Sequence, residues 1–555
     1  MREHDPKFYI PDETGAQGRV MRLGIDFGTT RIAVAFVDGG NYPVVAFETP
    51  DGVARDWFPP LIAVQGSRHL FGWEAWAVQE EPGWTLIRSL KRLLGSASLA
   101  SEVEIAGQLI PLKALMVGLC ISLRQGLMKH SNLPVRESEP LEAMLGVPAN
   151  ANSNQRFLTT DMFRTAGFEV VGLLNEPSAA SIEFGHRRRE SSPEEEERVL
   201  VYDLGGGTFD ASLVRLCGQE HTVLASEGIE ALGGDDFDEF LAELALDVAK
   251  VAAAERDSLT QAELFRLHEE CREKKEALHP NTRLIHVDLG KVRPEWSPTT
   301  VSAADFYRWC QPAVQETIHA VENLMKSQGL DPAPSGGKAH IDTLYVTGGA
   351  SELPLVSRSL REVFGSSVRR SAQTRFATAI GLAIQADSEA GYQLRDRFTR
   401  YFGVWREGEG GRIAIFDPLF TKGVVLPGPD QPPLLQVRRY APAHNIGHFR
   451  YLECAQLSAD AHPAGDIVTW GDILFPFDPA LRDVFDLSDA QVARTSALGP
   501  EIEESYSCDS DGAVVVRVTN LTHGYQREYR LGRWNVLGRR LVPGRSPRRR
   551  RARRL

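Results

Sequence analysis

Two short segments far apart in the chain, LGIDFGTT (residues 23–30) and VYDLGGGTFD (residues 201–210), repeat one design. In each, an apolar strand runs into an aspartate and then into a glycine-rich turn bearing threonines. A turn without Cβ atoms lets backbone N–H groups approach an anion closely, and threonine hydroxyls add donors. An aspartate at a strand end can hold the water shell of a divalent cation. Two such turns, a domain's length apart, can grip one polyphosphate from opposite sides. A third segment, TLYVTGGASELP (residues 343–354), takes a strand into Gly348 and Gly349 and then into a helix, a shape suited to packing backbone against a nucleoside. The GxxxxGK[ST] pattern is absent, so none of the three is a Walker loop.

The chain around these turns is that of a packed protein with room for several domains: 555 residues, 42% hydrophobic and 25% charged. Its 62 Lys+Arg against 74 Asp+Glu leave a net charge of −12, which argues against a general nucleic-acid binder. Between residues 20 and 388, apolar β-branched runs alternate with helical patterns, which predicts α/β layering around buried sheets. Residues 236–254 and 259–278 read as long amphipathic helices of an inserted helical subdomain. Residues 1–19 read as a disordered arm and 389–404 as a linker. Residues 405–540 carry short alternating runs and Pro-rich turns, with a DSDG turn at 509–512 between two strands, and read as a β-rich substrate- or partner-binding domain.

Residues 541–555 hold seven arginines between Arg545 and Arg554 and form a basic tail, read as disordered and as the one stretch suited to nucleic acid or an acidic surface. The longest apolar stretch, 109–123, is broken by Pro111 and Lys113 and falls short of the roughly 20 residues that span a bilayer, so no membrane span is expected. The first twenty residues carry no secretory pattern, and the six cysteines form no CxxC pair. The expectation is reduced thiols and a cytoplasmic location. His444 and His448 lack the HExxH glutamate and read as a core or loop pair, while Trp405, Trp470 and Trp534 read as packing anchors. Residues 186–198 reverse charge sign across Pro193 and read as a solvated loop.

Further motifs carry a resemblance: KRLLG (91–95), GVPANANSNQR (146–156), LLNEPSAASIEFG (173–185) and ALGGDDFD (231–238). In their order along the chain they resemble the actin-like ATPase superfamily, and within it the seventy-kilodalton heat-shock chaperones. That implies a two-lobed α/β ATPase domain, with a duplicated sheet and flanking helices, followed by a mostly β domain. It implies ATP/ADP and Mg²⁺ as ligands and slow ATP hydrolysis coupled to a polypeptide client, with a J-domain-type co-chaperone or exchange factor as partners. By the same resemblance Asp203, Lys91, Glu176 and Thr208 are the catalytic residues, and Asp26, Asp203 and Asp210 lie near the metal through water. Gly28, Thr29, Thr30, Gly205, Gly206, Gly207, Thr208, Gly233, Gly234, Lys275, Gly348 and Gly349 hold the nucleotide, and Pro148 and Arg156 relay its state.

The chain departs from the family pattern on the adenosine side. Where the family has Glu, Lys, Arg and Ser on one helix, this chain has Arg272, Lys275, Glu276 and His279; where it has Ser-Thr-Arg after the double glycine, this chain has Ala350, Ser351 and Glu352. A carboxylate cannot stack on a base as a guanidinium does, so weaker or rearranged base binding is expected. Residues 393–405 lack the family's acidic, leucine-rich linker strand, which predicts altered domain coupling. No helical lid follows the last β signal, which predicts fast release of extended peptides. The competing reading is a nucleotide-sensing regulatory scaffold with little turnover and one dedicated protein partner.

Overall fold

The computed structural model describes residues 20–541 apart from 98–100, 137–138, 189–195, 331–340, 429, 471–472, 485, 495–498 and 531–539. The proposed N-terminal arm, nearly all of the arginine tail and Trp534 lie outside the described residues. The first lobe is built on a four-stranded sheet of β1 (Met21–Phe27), β2 (Ile32–Phe36), β3 (Leu141–Val147) and β4 (Glu169–Asn175), in the order β4-β3-β1-β2. The β1–β2 hairpin is antiparallel, and β3 and β4 follow in parallel. The second lobe repeats this plan. Its hairpin of β5 (Glu197–Leu204) and β6 (Phe209–Cys217) lies beside the parallel strands β8 (Thr343–Thr347) and β9 (Val368–Arg370). Strands β7 (Glu220–Ile229) and β10 (Gln393–Arg395) complete a six-stranded sheet, β9-β8-β5-β6-β7-β10. Both central strands are buried on both faces, which is why they read as unbroken apolar runs.

Helices cover the sheets: α1 (Leu112–Lys129), α2 (Ser153–Thr165) and α3 (Glu176–Arg188) in the first lobe, then α4 (Gly234–Val248), α5 (Gln261–Glu276), α6 (Ala303–Ser327), α7 (Pro354–Phe364) and α8 (Ala377–Ala386). The first predicted long helix is shorter than its apolar pattern. It stops at Val248, two residues before Lys250 takes φ 58°, a left-handed conformation no helix continues through. The second starts at a capping box in which Thr260 accepts from Glu263 N, and it ends at Glu276. Helix α8 lies against β1 and crosses α3 where the lobes join. The crossing needs two glycines: a Cβ on Gly381 would sit 1.8 Å from Ala179 O, and one on Gly24 would sit 2.2 Å from Ala383 N.

After β10 the chain forms two four-stranded antiparallel sheets. One is β12-β11-β14-β15, from β11 (Tyr401–Gly408), β12 (Ile413–Phe420), β14 (Tyr451–Leu457) and β15 (Pro463–Thr469). The other is β13-β16-β17-β18, from β13 (Leu434–Tyr440), β16 (Ile502–Cys508), β17 (Val514–Asn520) and β18 (Tyr525–Arg530). The DSDG turn joins β16 to β17 as the alternation predicts. Phe402, Tyr451, Phe475, Tyr506 and Val516 form the core, which also takes Trp470; Trp405 packs edge-on against Phe416. His448 sits in a short strand and His444 in an isolated bridge, and no metal-holding group of three or more His, Cys, Asp or Glu is found among the described residues. No helix of the described residues is long and apolar enough to cross a membrane.

Candidate functional site: a cleft between two glycine hairpins

The tips of the β1–β2 and β5–β6 hairpins meet across the gap between the lobes. A Cβ on Gly206 would lie 2.7 Å from Thr29 Oγ1, and one on Gly207 would lie 2.6 Å from Thr29 Cγ2, so only bare backbone fits there. The cleft they frame has a volume of about 110 Å³ and is lined by Asp26, Gly28, Thr29, Thr30, Asp203 and the 205–208 turn. Lys91, Glu176, Gly234, Lys275, Gly348 and Gly349 complete it. Thr29 Oγ1 is buried beside the Gly206–Gly207 turn without a hydrogen-bond partner, an uncommon cost for a native hydroxyl and an unspent donor on a residue that lines the cleft. Gly348 has φ 82°, and a Cβ there would meet Leu204 O at 2.3 Å and Asp203 Oδ1 at 2.4 Å, which accounts for the double glycine after β8.

The floor of the cleft is strongly acidic. Asp203 and Asp210 face each other across the β5–β6 hairpin. Burial, then the neighbouring carboxylate of Glu176, pushes the Asp26, Asp203 and Asp210 carboxyls above the usual range, with Lys91 opposing. One cation answers them: Lys91 Nζ donates to Glu176 Oε1 at 2.7 Å. Burial works against this ammonium, but Glu176 and Asp26 together hold its pKa above the ordinary lysine value. Lys91 is aimed inward by a short 3₁₀ turn, Leu90–Leu93, entered through Ser89 at φ 62°. Ser89 Oγ donates to Asp235 at 2.7 Å and Arg92 to Asp236 at 2.9 Å, which ties this turn to the start of α4 in the other lobe.

Lys275 stays closer to the backbone than a phosphate-binding lysine needs to. Its Nζ bonds Gly234 O at 2.6 Å and pairs with Asp238 at 2.6 Å, so it fixes the Gly233-Gly234 turn. Gly233 and Asp210 stand behind the cleft wall rather than on it. Asp210 Oδ1 accepts from Ala149 N at 2.8 Å, the residue after Pro148. From there the 148–156 segment runs to the β domain. Arg156 donates to Asn175 Oδ1 at 2.5 Å and to Asp511 O at 3.3 Å, Leu173 N donates to Asp511 Oδ1 at 3.3 Å, and Ser153 N donates to Glu453 Oε2 at 3.1 Å. The segment between the domains is seated as well: β10 extends the second-lobe sheet, and Asp396 accepts from Asn175 Nδ2 at 2.8 Å. Arg31, Arg400 and Glu453 escape the sequence reading, whereas Arg375, like Arg272, stands in it as an arginine that could turn inward on the adenosine side. Of the three that escape it only Arg31 carried a local signal, its place directly after the first GTT.

The two lobes, each a hairpin with two parallel strands and a helix crossing at their junction, define an actin-like α/β fold with a β-sandwich appended. Residues 131–398 match the family model described as Hsp70 protein. The chain is also 31% identical over 383 residues to the chaperone protein HscA of Salmonella paratyphi B, across 66% of this chain and 58% of that protein. Both matches support an Hsp70-family member. The matched stretch spans less than two thirds of HscA's own length.

Proposed function

We propose that the chain is a chaperone-like ATP-binding protein that hydrolyses ATP slowly with Mg²⁺ and couples nucleotide state to binding of an unfolded or partner polypeptide. The meeting of two bare glycine hairpins over a buried Lys91–Glu176 pair, with the Thr29 hydroxyl left unpartnered, carries this reading. Backbone N–H groups of the two turns and the Thr29, Thr30 and Thr208 hydroxyls cradle the phosphates, with Gly348 and Gly349 packing against the nucleoside. Four carboxylates facing one ammonium suit a hydrated dication, which Asp26, Asp203 and Asp210 would hold through its waters. When bound, such an ion would supply positive charge against the transferring phosphoryl group. Lys91 reaches the same group, and Asp203 and Glu176 orient the attacking water, so that the protein's part is positioning and charge.

Asp210, Ala149 and the 148–156 segment provide a bonded route from the metal side of the cleft to Glu453 and Asp511 of the β domain, with Pro148 and Arg156 as its relay points. The client is an extended polypeptide; a J-domain-type co-chaperone, an exchange factor and a cytoplasmic location go with this function. Steady-state ATPase of the wild type should exceed that of both Asp203→Asn and Lys91→Ala by at least about tenfold. Turnover equal in all three would leave the second reading, a nucleotide-sensing scaffold. That reading is favoured by the glutamates at 276 and 352 and by the missing linker strand, and in it an unfolded reporter peptide would stay unbound with and without ATP.

A further inference from the structure

Beyond the phosphate cleft lies a second, wider chamber of about 810 Å³, and the two share Lys275, Glu276, Gly349, Ala350 and Arg375 as lining. A nucleoside whose phosphates sit between the hairpins must pass through this shared neck. Glu276 stands at this neck and Glu352 on the chamber side of it, and Arg375 bridges them. Its Nη2 and Nε lie 2.5 and 3.0 Å from the same Glu352 oxygen, and its Nη1 lies 3.8 Å from Glu276. Both N–H contacts to Glu352 occupy the edge of the guanidinium, so its flat faces stay available, and its stem lies over the bare backbone of Gly349.

Three other planar groups nearby are engaged. Arg31 pairs with Glu276 at 2.5 Å and lies 5.2 Å over the Trp57 ring; Arg272 pairs with Glu269; the Tyr307 ring is covered by Arg358 at 5.6 Å. Among the arginines lining either space, Arg375 alone lines both. We infer that Arg375, clamped edge-on by Glu352 and Glu276, is the platform on which the nucleotide base stacks, so that the two glutamates serve base binding by holding this guanidinium flat rather than by touching the base.

This inference rests on the proposed nucleotide site, and the two can fail separately. Calorimetric titration of the full chain with Mg-ATP and with Mg-tripolyphosphate, which has phosphates and no base, separates them. Arg375→Ala should weaken ATP about tenfold and leave tripolyphosphate unchanged, since stacking on a guanidinium acts on the base alone. Arg375→Lys, which keeps the charge and both carboxylate partners without the plane, should show nearly the same loss. Wild-type affinity for ATP in Arg375→Ala, an equal loss for both ligands, or full rescue by lysine would each overturn the platform. Wild-type protein that binds tripolyphosphate as tightly as ATP would overturn it too and leave the phosphate cleft standing; failure to bind either ligand would remove the cleft with it.

Discussion

At Thr29 an oxygen is buried without a partner, an arrangement that costs stability unless something else uses it. Thr29→Val keeps the shape and deletes the orphan hydroxyl. The ligand-free protein should melt at the same temperature or slightly higher, while ATP binding falls about tenfold; calorimetry alongside a thermal melt would show whether the two move apart. Gly348 is the opposite case, because its backbone is left-handed and its surroundings leave no space. Gly348→Ala should destabilise by roughly 2 kcal/mol or more in denaturant unfolding and displace Asp203. The cleft carboxyls set a pH dependence. For Asp26 and Asp210 the native pKa rises from 3.8 to about 7, so the native state binds more protons than the unfolded chain between those values. Stability from these two groups is fully present below 3.8 and is lost as pH climbs through about 7. The ligand-free melting temperature should therefore rise on going from pH 8 to pH 6, and Asp203→Asn, which removes one of the crowded charges, should flatten that slope.

At the level of elements, the crossing of α3 and α8 decides how the lobes meet. Gly381→Ala places a methyl group 1.8 Å from Ala179 O, and a backbone atom cannot step aside as a side chain can. The two helices must separate, with a loss of about 2 kcal/mol or more in unfolding experiments and a matching drop in nucleotide affinity, because the cleft opens with the crossing. The two long helices were legible from their apolar period to within two residues of their starts; the cap that fixes the second, Thr260 with Glu263, closes a box four residues long. The Lys91–Glu176 pair joins residues 85 apart and the Ser153–Glu453 contact residues 300 apart, and no local pattern announces either.

For the whole molecule, the interface between the two α/β lobes and the β domain turns on Arg400 and Glu453, both almost wholly buried. Arg400 lies 3.7 Å from Glu230 of the second lobe and 3.6 Å from Glu453, and bonds Asp466 at 2.7 Å. Breaking a buried pair by removing one partner typically costs about 3–5 kcal/mol. Arg400→Ala should therefore release the β domain, seen as faster proteolysis between α8 and β11 and as a larger radius of gyration in solution scattering. Unchanged cleavage and size would show that the domains are held elsewhere. Coupling thus has a physical path even though residues 393–405 lack the leucine-rich strand of the family.

By itself the sequence determined the two hairpins, the double glycine after β8, the α/β layering and the sandwich. Each of these depends on requirements met within ten residues: missing Cβ atoms, strand alternation and caps. Only the tertiary structure decided which groups answer one another. It paired Lys91 with Glu176, turned Lys275 onto the Gly234 backbone and set Arg375 between two glutamates that the sequence alone read as a loss. The reason is electrostatic: a buried charge takes the partner that folding brings within a few ångströms, whatever its distance along the chain.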